Sequence, residues 1–438
     1  MREWRGFVIS RILAIRMFKK FIQQRIEELA AEYLKRHQPR LVVVTGSVGK
    51  TSTKLAIATV LGEKYRVRIH EGNHNTHMSV PIAILGIEYP DKIRSLVAWF
   101  AVWRAAQERL RQPRDVDVII QELGTDQPGD IPHFGTYLHA DIAVVTAVTN
   151  EHMEFFKTLE GVAQEELSVS KFSTLTVINR DDISGDFVKY VETSSIDTYG
   201  LSGSAEYRFV IEDSDPQKGF NGKFVSPEFG QLPVSLKLVG EHNTKAAVAA
   251  GLVAAKMGLS AEEITSGMTK IRPAKGRMNL LRGLDDSLLL DDSYNSSALT
   301  AVAALQTLYK IQAPQRIAIL GSINEMGALS QSEHETVGAA CDSNALAWVV
   351  TVGDMAAQYL APAAQKKGCQ VRTFKTANEA GTFVRSVMEP HAVILAKGSQ
   401  NGVFTEEALK ILLHSTSDET QLVRQSPAWL KIKQQYYS

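Results

Sequence analysis

Short apolar runs alternate with stretches of helical spacing along most of the chain. LVVVT (41–45), VDVIIQELG (116–124), ADIAVVTAV (140–148) and TLTVIN (174–179) are each bounded by helical or irregular segments. Such runs predict strands buried on both faces, and the helices between them predict a mostly parallel α/β sheet. From about 192 to 238 the pattern changes to short alternating segments rich in Gly, Ser, Asp and Pro, a small β-rich excursion. Helical periodicity returns in HNTKAAVAAGLVAAKMG, and IRPAKGRM (271–278) reads as a linker. A second α/β series follows, with strands near LLLDD, RIAILG, AWVVTVG, CQVRTF and AVILAKG. The expected fold class is α/β. It comprises a helical arm over 1–40, a central mostly parallel-sheet domain over 41–275 and a C-terminal Rossmann-like domain over 276–438.

The arm mixes Arg2, Arg5, Arg11, Arg16, Lys19, Lys20 and Arg25 with Phe7, Ile12, Ile15, Phe18 and Ile22 at helical spacing, and Pro39 closes it. That is a basic amphipathic helix, suited to an anionic membrane surface or to packing on the body or on another subunit. RSLVAWFAVWRAAQERLRQPR, with Trp99, Phe100 and Trp103 among arginines, leaves the same alternatives open beside ordinary core packing. Peripheral membrane or homo-oligomer contact is thus expected through 1–40 and 94–111. The arginines break any signal-peptide core, and no apolar run reaches the roughly 20 residues of a spanning helix.

Composition narrows the picture further. The chain has 438 residues, 44% hydrophobic and 22% charged, with zero formal net charge, so no global field favours nucleic acid. Cys341 and Cys369 give neither a disulfide framework nor a metal-spaced cluster, which fits a reducing, cytoplasmic compartment.

LVVVTGSVGKTST joins a buried strand to a Gly-rich turn and a helix start. The spelling G-x-x-x-x-G-K-[ST] would put its first glycine at Val44, so this P-loop is a short form. Amides of the turn and helix start (Gly46, Ser47, Gly49 and Lys50 to Ser52) are placed to bind phosphate oxygens. Lys50 would neutralise β/γ-phosphate charge and Thr51 would reach Mg²⁺. Glu122 ends the strand VDVIIQELG, where a carboxylate serves a metal unless it is only a surface glutamate. In TNEHMEFF, His152 stands between Glu151 and Glu154, a structural histidine or a ligand to a second metal.

Together these segments resemble the Mur ligase family of ATP-dependent amino-acid and peptide ligases, above all its D-alanyl-D-alanine-adding branch. The resemblance rests on T-G-S-x-G-K-T, GNHNTHMSVPIAIL, QELGTDQPGDI, TNEHMEFF, VINRDD, GEHNTKAA, GRM, DDSYN, ILGSINEMG and ILAKGS, spread over roughly residues 40–415. It implies an ADP-forming carboxylate–amine ligase that uses ATP and two Mg²⁺ ions. Its partners would be a cell-wall peptide precursor and an amino acid or dipeptide. By the same resemblance, Lys50 and Thr51 hold the phosphates, Glu122 and His152 ligate the two metals, and Asn243 lies by the adenine. Arg277 contacts the γ-phosphate from the linker and Asp292 hydrogen-bonds the ribose, so the site is complete only when the domains close.

Five departures stand out. The family carries a carbamylated lysine fourteen residues after its metal-binding histidine, and here that position is Glu166. A built-in carboxylate is expected to replace the carbamate, with Glu165 and Lys171 as neighbouring alternatives and a vestigial one-metal site as the other outcome. Ser297-Ala298 stands for Asn-Pro, and Ser322 and Gln400 stand for an aspartate and an arginine. Only the arm precedes the P-loop, where the family places a UDP-sugar-binding domain. The acceptor is therefore left open between the usual UDP-linked peptide and a lipid-linked or folylpolyglutamate-type substrate. A non-catalytic ATP-binding scaffold at the membrane is the rival from another class, and retention of His152, Arg277 and Glu166 argues against it.

Overall fold

The computed structural model describes residues 2–437 except 71, 73, 91, 94 and 194, and side chains from residue 19 to 436. The first sheet has nine strands: β1 (Arg40–Thr45), β2 (Val67–Arg68), β3 (Val118–Glu122), β4 (Ala140–Val145), β5 (Ser173–Asn179), β6 (Ile196–Gly200), β7 (Tyr207–Asp215), β8 (Gly219–Ser226) and β9 (Gly230–Leu236). Their spatial order is β2-β3-β1-β4-β5-β6-β7-β8-β9. Pairing is parallel from β2 through β7 and antiparallel in the β7–β8–β9 meander. The β-rich excursion is thus an extension of the main sheet, because β7 pairs with the edge of β6.

The unbroken run LVVV is explained by the layers around β1. Leu41 and Val43 enter the core on one face, while Val42 and Val44 enter the core on the other. The first face is covered by α1 (Arg2–His37), α3 (Ser79–Leu85) and α4 (Leu96–Arg111). The second is covered by α2 (Lys50–Leu61) and the helices Thr244–Lys256 and Ala261–Lys270.

A second sheet contains β10 (Asn279–Arg282), β11 (Leu288–Asp292), β12 (Arg316–Gly321), β13 (Trp348–Val352), β14 (Val371–Phe374) and β15 (Val393–Lys397), in the order β10-β11-β15-β12-β13-β14. All its pairs are parallel except β10 with β11. Its strands also alternate between two cores: Ile317 and Ile319 pack on one face, and Ala318 and Leu320 on the other.

The C-terminal half of the arm packs on the body. Ile26, Leu29, Ala30 and Tyr33 are buried at i, i+3, i+4 and i+7, and Ile22 packs one turn earlier. The guanidinium carbons of Arg68 and Arg109 lie 5.4 and 5.6 Å from the Tyr33 ring centroid, and both arginines pair with Asp115. The side chains of Arg2, Arg5, Phe7, Arg11, Ile12, Ile15, Arg16 and Phe18 lie outside the described residues. On α4, Trp99 belongs to the core while Phe100 and Trp103 are exposed, so core packing accounts for only one of its three large aromatics.

Removing the Tyr33 ring leaves a cavity under two arginines. Tyr33→Ala is expected to destabilise the P-loop-bearing unit by about 3 kcal/mol, whereas exposed Phe21→Ala should leave it unchanged. Urea unfolding followed by tryptophan fluorescence measures both.

Candidate active site

β1 delivers the chain to the P-loop, where Gly46 (φ 121°) and Gly49 (φ 87°) adopt left-handed conformations. A Cβ on Gly46 would run into the Thr146 hydroxyl and lie 2.8 Å from the Ala147 amide nitrogen, so glycine is required by space as well as by φ. The loop is stitched to the end of β4: the Ser47 amide donates to Ala147 O (2.9 Å), and the Thr146 hydroxyl donates to Thr45 O and Val48 O (2.9 and 2.6 Å). No side chain caps the start of α2, so its first-turn amides remain available to an anion.

Beneath the loop lies Glu166, fully buried on the helix Leu159–Leu167. Its Oε2 accepts from the Gly46 amide at 2.8 Å and from the Thr45 hydroxyl. Glu165 points elsewhere, accepting from the Gly129 and Ile131 amides at 2.8 and 2.6 Å. Lys171 pairs with Glu192 at 3.0 Å, on the surface.

Lys50 folds back over the loop carbonyls of Gly46 and Ser47, and its Nζ is 3.9 Å from Glu151. Burial disfavours its charge, but Glu151, Glu166 and Glu122 together outweigh burial and hold its pKa above the usual lysine value. Burial, countered in part by Lys50, pushes the Glu151 carboxyl up to about 8, with Glu166 adding to the rise. Glu151 Oε1 and Glu166 Oε1 are buried and without a hydrogen-bond partner.

At the end of β3, Glu122 accepts from the Thr51 hydroxyl at 3.0 Å, lies 3.7 Å from Lys54 Nζ and is approached by Asn75 Nδ2 at 3.4 Å. The Thr51 hydroxyl also accepts from Arg277 Nη2 at 3.1 Å, a contact that crosses from the second lobe to the first. Arg277 is set by the end of β11. Asp291 accepts from the Gly276 amide (3.1 Å), Asp292 accepts from the Met278 amide (3.2 Å), and the guanidinium lies 4.3 Å from the Tyr294 ring centroid.

His152 (φ 46°) faces the seam as well. Its Nδ1 is 2.9 Å from Glu325 of the second lobe and its Nε2 is 3.6 Å from Asp126. Burial alone would lower its pKa, but Glu325, Glu151 and Asp126 raise it overall. Asp292 has its second oxygen 2.8 Å from Lys397 Nζ. Asn243 donates to Val239 O at 2.7 Å, and the neighbouring His242 feels the charges of Asp292 and Lys397. One group therefore forms around the loop, from Lys50, Thr51, Glu122, Glu151, Glu166 and Arg277, while Asn243 is held by Val239 O and Asp292 by Lys397. His152 contacts the carboxylates of Glu325 and Asp126.

Sequence reading did not single out Lys54, Lys397 or Glu325. Lys54 repeats Lys50 one helical turn later, a spacing that could have drawn notice. Lys397 ends an apolar strand, where a buried cation calls for a carboxylate partner. Glu325 carries no sequence signal, since its role depends on how the lobes meet.

The loop gathers hard oxygens, and one carboxylate oxygen each of Glu151 and Glu166 is orphaned and buried, which suits Mg²⁺ better than a thiophilic ion. Among the described residues, no three His, Cys, Asp or Glu already form a metal cluster. A strand-end carboxylate and an arginine from a second α/β lobe share the hydroxyl of the P-loop threonine. This defines a two-lobed P-loop enzyme with its chemistry at the seam.

The chain belongs to the Mur ligase family, whose members are ATP-dependent carboxylate–amine ligases. The model of the Mur ligase middle domain matches residues 44–254, and that of the Mur ligase, glutamate ligase domain matches 276–400. The UDP-N-acetylmuramoyl-tripeptide–D-alanyl-D-alanine ligase of Bacillus subtilis (strain 168) is 25% identical over 398 residues, 89% of this chain and 79% of the relative. Among solved structures, MurF from Acinetobacter baumannii aligns with TM-score 0.73 at 22% identity, covering 91% of this chain and 80% of that one. MurF ligase from Thermotoga maritima, in complex with ADP, aligns with TM-score 0.72 at 22% identity, covering 89% and 83%.

Thr51→Val keeps the side-chain shape and removes the hydroxyl shared by Glu122 and Arg277. Isothermal titration is expected to find Mg·ATP bound at least about tenfold more weakly, since two hydrogen bonds to charged groups are lost.

Proposed function

We propose that this chain is a cytoplasmic ligase of peptidoglycan precursor synthesis, joining D-alanyl-D-alanine to the carboxylate of a muramoyl-tripeptide at the expense of ATP. The faces of residues 1–40 and 94–111 that do not enter the core are left for contact with a membrane or a second copy. The observation that carries this reading is the Arg277–Thr51–Glu122 arrangement, which gathers phosphate-handling groups from both lobes at one hydroxyl. The D-alanyl-D-alanine-adding relative that spans 89% of the chain supports the choice of substrates.

In this reading the substrate carboxylate attacks the γ-phosphorus of ATP. ADP leaves and an acyl phosphate forms. The dipeptide amine then attacks the acyl carbon, and phosphate leaves from a tetrahedral intermediate. Lys50 and the first-turn amides of α2 offset charge on the phosphates, and Arg277 adds a positive charge at the seam. The protein's work is mainly positioning, with the second lobe excluding water from the acyl phosphate.

Thr51 and Glu122 would hold one Mg²⁺, and His152 with Glu166 a second; the ions supply further charge neutralisation at phosphate oxygens. Glu166 acts as a built-in carboxylate at the position where the family resemblance implies a carbamylated lysine. One of its oxygens holds the loop and the other is buried without a partner. Asn243 and Asp292 would line the adenosine side, with Asp292 exchanging part of its bonding to Lys397 for the ribose.

The test is release of ADP and phosphate against a panel of muramoyl-peptides and amines. Amine-dependent release with D-alanyl-D-alanine is expected; ATP binding without amine-dependent turnover on any acceptor would indicate a scaffold instead. Glu166→Gln keeps an acceptor for Thr45 and Gly46 but removes the charge. It is expected to retain nucleotide binding while turnover falls by roughly 10²-fold, the scale of losing one electrostatic stabiliser.

A further inference from the structure

We propose that the layer formed by α1 and α4 seats on an anionic lipid bilayer, at the same edge of the molecule as the P-loop. The two helices pack side by side, and their register follows from named contacts. Arg109 Nη2 is 3.5 Å from the Tyr33 hydroxyl, and both residues lie by Asp115, just before β3. This end of the layer is therefore level with the amino ends of the strands. Higher on α1, Gln23 and Glu27 reach His133 at 3.4 and 2.8 Å, in the helix Asp130–Phe134 that follows the carboxyl end of β3. The upper end of the layer thus lies at the sheet edge that carries Lys50, Thr51 and Glu122, and α1 continues from there to Arg2.

At that upper end the exposed face is apolar. Leu96, Val97, Phe100 and Trp103 are 62%, 79%, 62% and 42% exposed, and Phe21 on α1 is 58% exposed. The opposite face of α4 already supplies the core with Trp99, Val102, Ala106 and Leu110, so the fold does not need the exposed stripe. From Arg104 onward the exposed positions turn polar, with Glu108 and Arg111. The apolar stripe is confined to the edge shared with the site.

Charge selects the occupant. The first twenty residues carry Arg2, Arg5, Arg11, Arg16, Lys19 and Lys20 against the single acid Glu3. Aromatic and aliphatic side chains beside such a basic segment are the composition of a helix that lies in a negatively charged interface. A second copy of the chain would instead bring these like charges together across the contact. No helix among the described residues is long and apolar enough to cross a membrane, and the contact proposed is peripheral.

The contact does not depend on the ligase reading; only its use does. Seated this way, the P-loop edge is brought near the bilayer, where an acceptor carried on a lipid would be presented.

Co-sedimentation of the full chain with vesicles tests the contact without reference to turnover. Binding to phosphatidylcholine vesicles containing phosphatidylglycerol is expected to be at least tenfold tighter than to phosphatidylcholine alone, and to weaken with salt. Phe100→Ser with Trp103→Ser, and Lys19→Glu with Lys20→Glu, should each reduce it about tenfold while ADP release with a soluble acceptor stays unchanged. Absent binding, or equal binding to both vesicles, would overturn the proposal. A dimer in light scattering that the Phe100/Trp103 variant dissolves would reassign the face to a second copy.

Discussion

The site depends on one carboxylate placed under the phosphate loop. Glu166 ties the helix Leu159–Leu167 to the end of β1 through the Thr45 hydroxyl and the Gly46 amide. Burying a charge in this way costs several kcal/mol unless hydrogen bonds and an opposite charge compensate it, and Lys50 is the nearby cation. The outcome is a compact group in which Glu122, Glu151 and Glu166 all act on one lysine. Burial pushes the Glu151 carboxyl up to about 8, with Glu166 adding to the rise, and one oxygen each of Glu151 and Glu166 is buried without a hydrogen-bond partner. Such a group is unfavourable alone and is relieved by hard cations, which ties the stability of the site to what it would bind.

The second constraint is the seam between the lobes. Arg277 is fixed by Asp291, Asp292 and Tyr294, all at the end of β11, and is delivered to Thr51 at the start of α2. His152–Glu325 and Asn150–Glu333, at 2.9 and 3.0 Å, hold the same seam farther along. These are partly exposed polar contacts, individually worth little. That suits a seam required to open for substrates and close for chemistry.

Much of this was legible in the sequence because it rests on local rules. LVVV reads as a doubly buried strand, and its residues do alternate between two cores. The loop glycines announce left-handed turns, and Glu122 announces itself at a strand end. What was not legible depends on distant partners. No spacing tells that Lys397 pairs with Asp292, since 105 positions separate them and the sheet order brings β11 beside β15. Glu325 is an ordinary acid until the lobes meet at His152. The arm shows the same limit: one amphipathic pattern is compatible with packing on protein or on lipid. Among the described side chains, the stripe enters the core from Ile22 to Tyr33.

The most direct test of the central claim is steady-state turnover in buffer stripped of carbon dioxide, with and without added bicarbonate. If Glu166 itself supplies the negative charge beneath the loop, the two rates are equal. A rate that rises from background only when bicarbonate is restored would contradict the account, because it would require a carbamate that Glu166 cannot form.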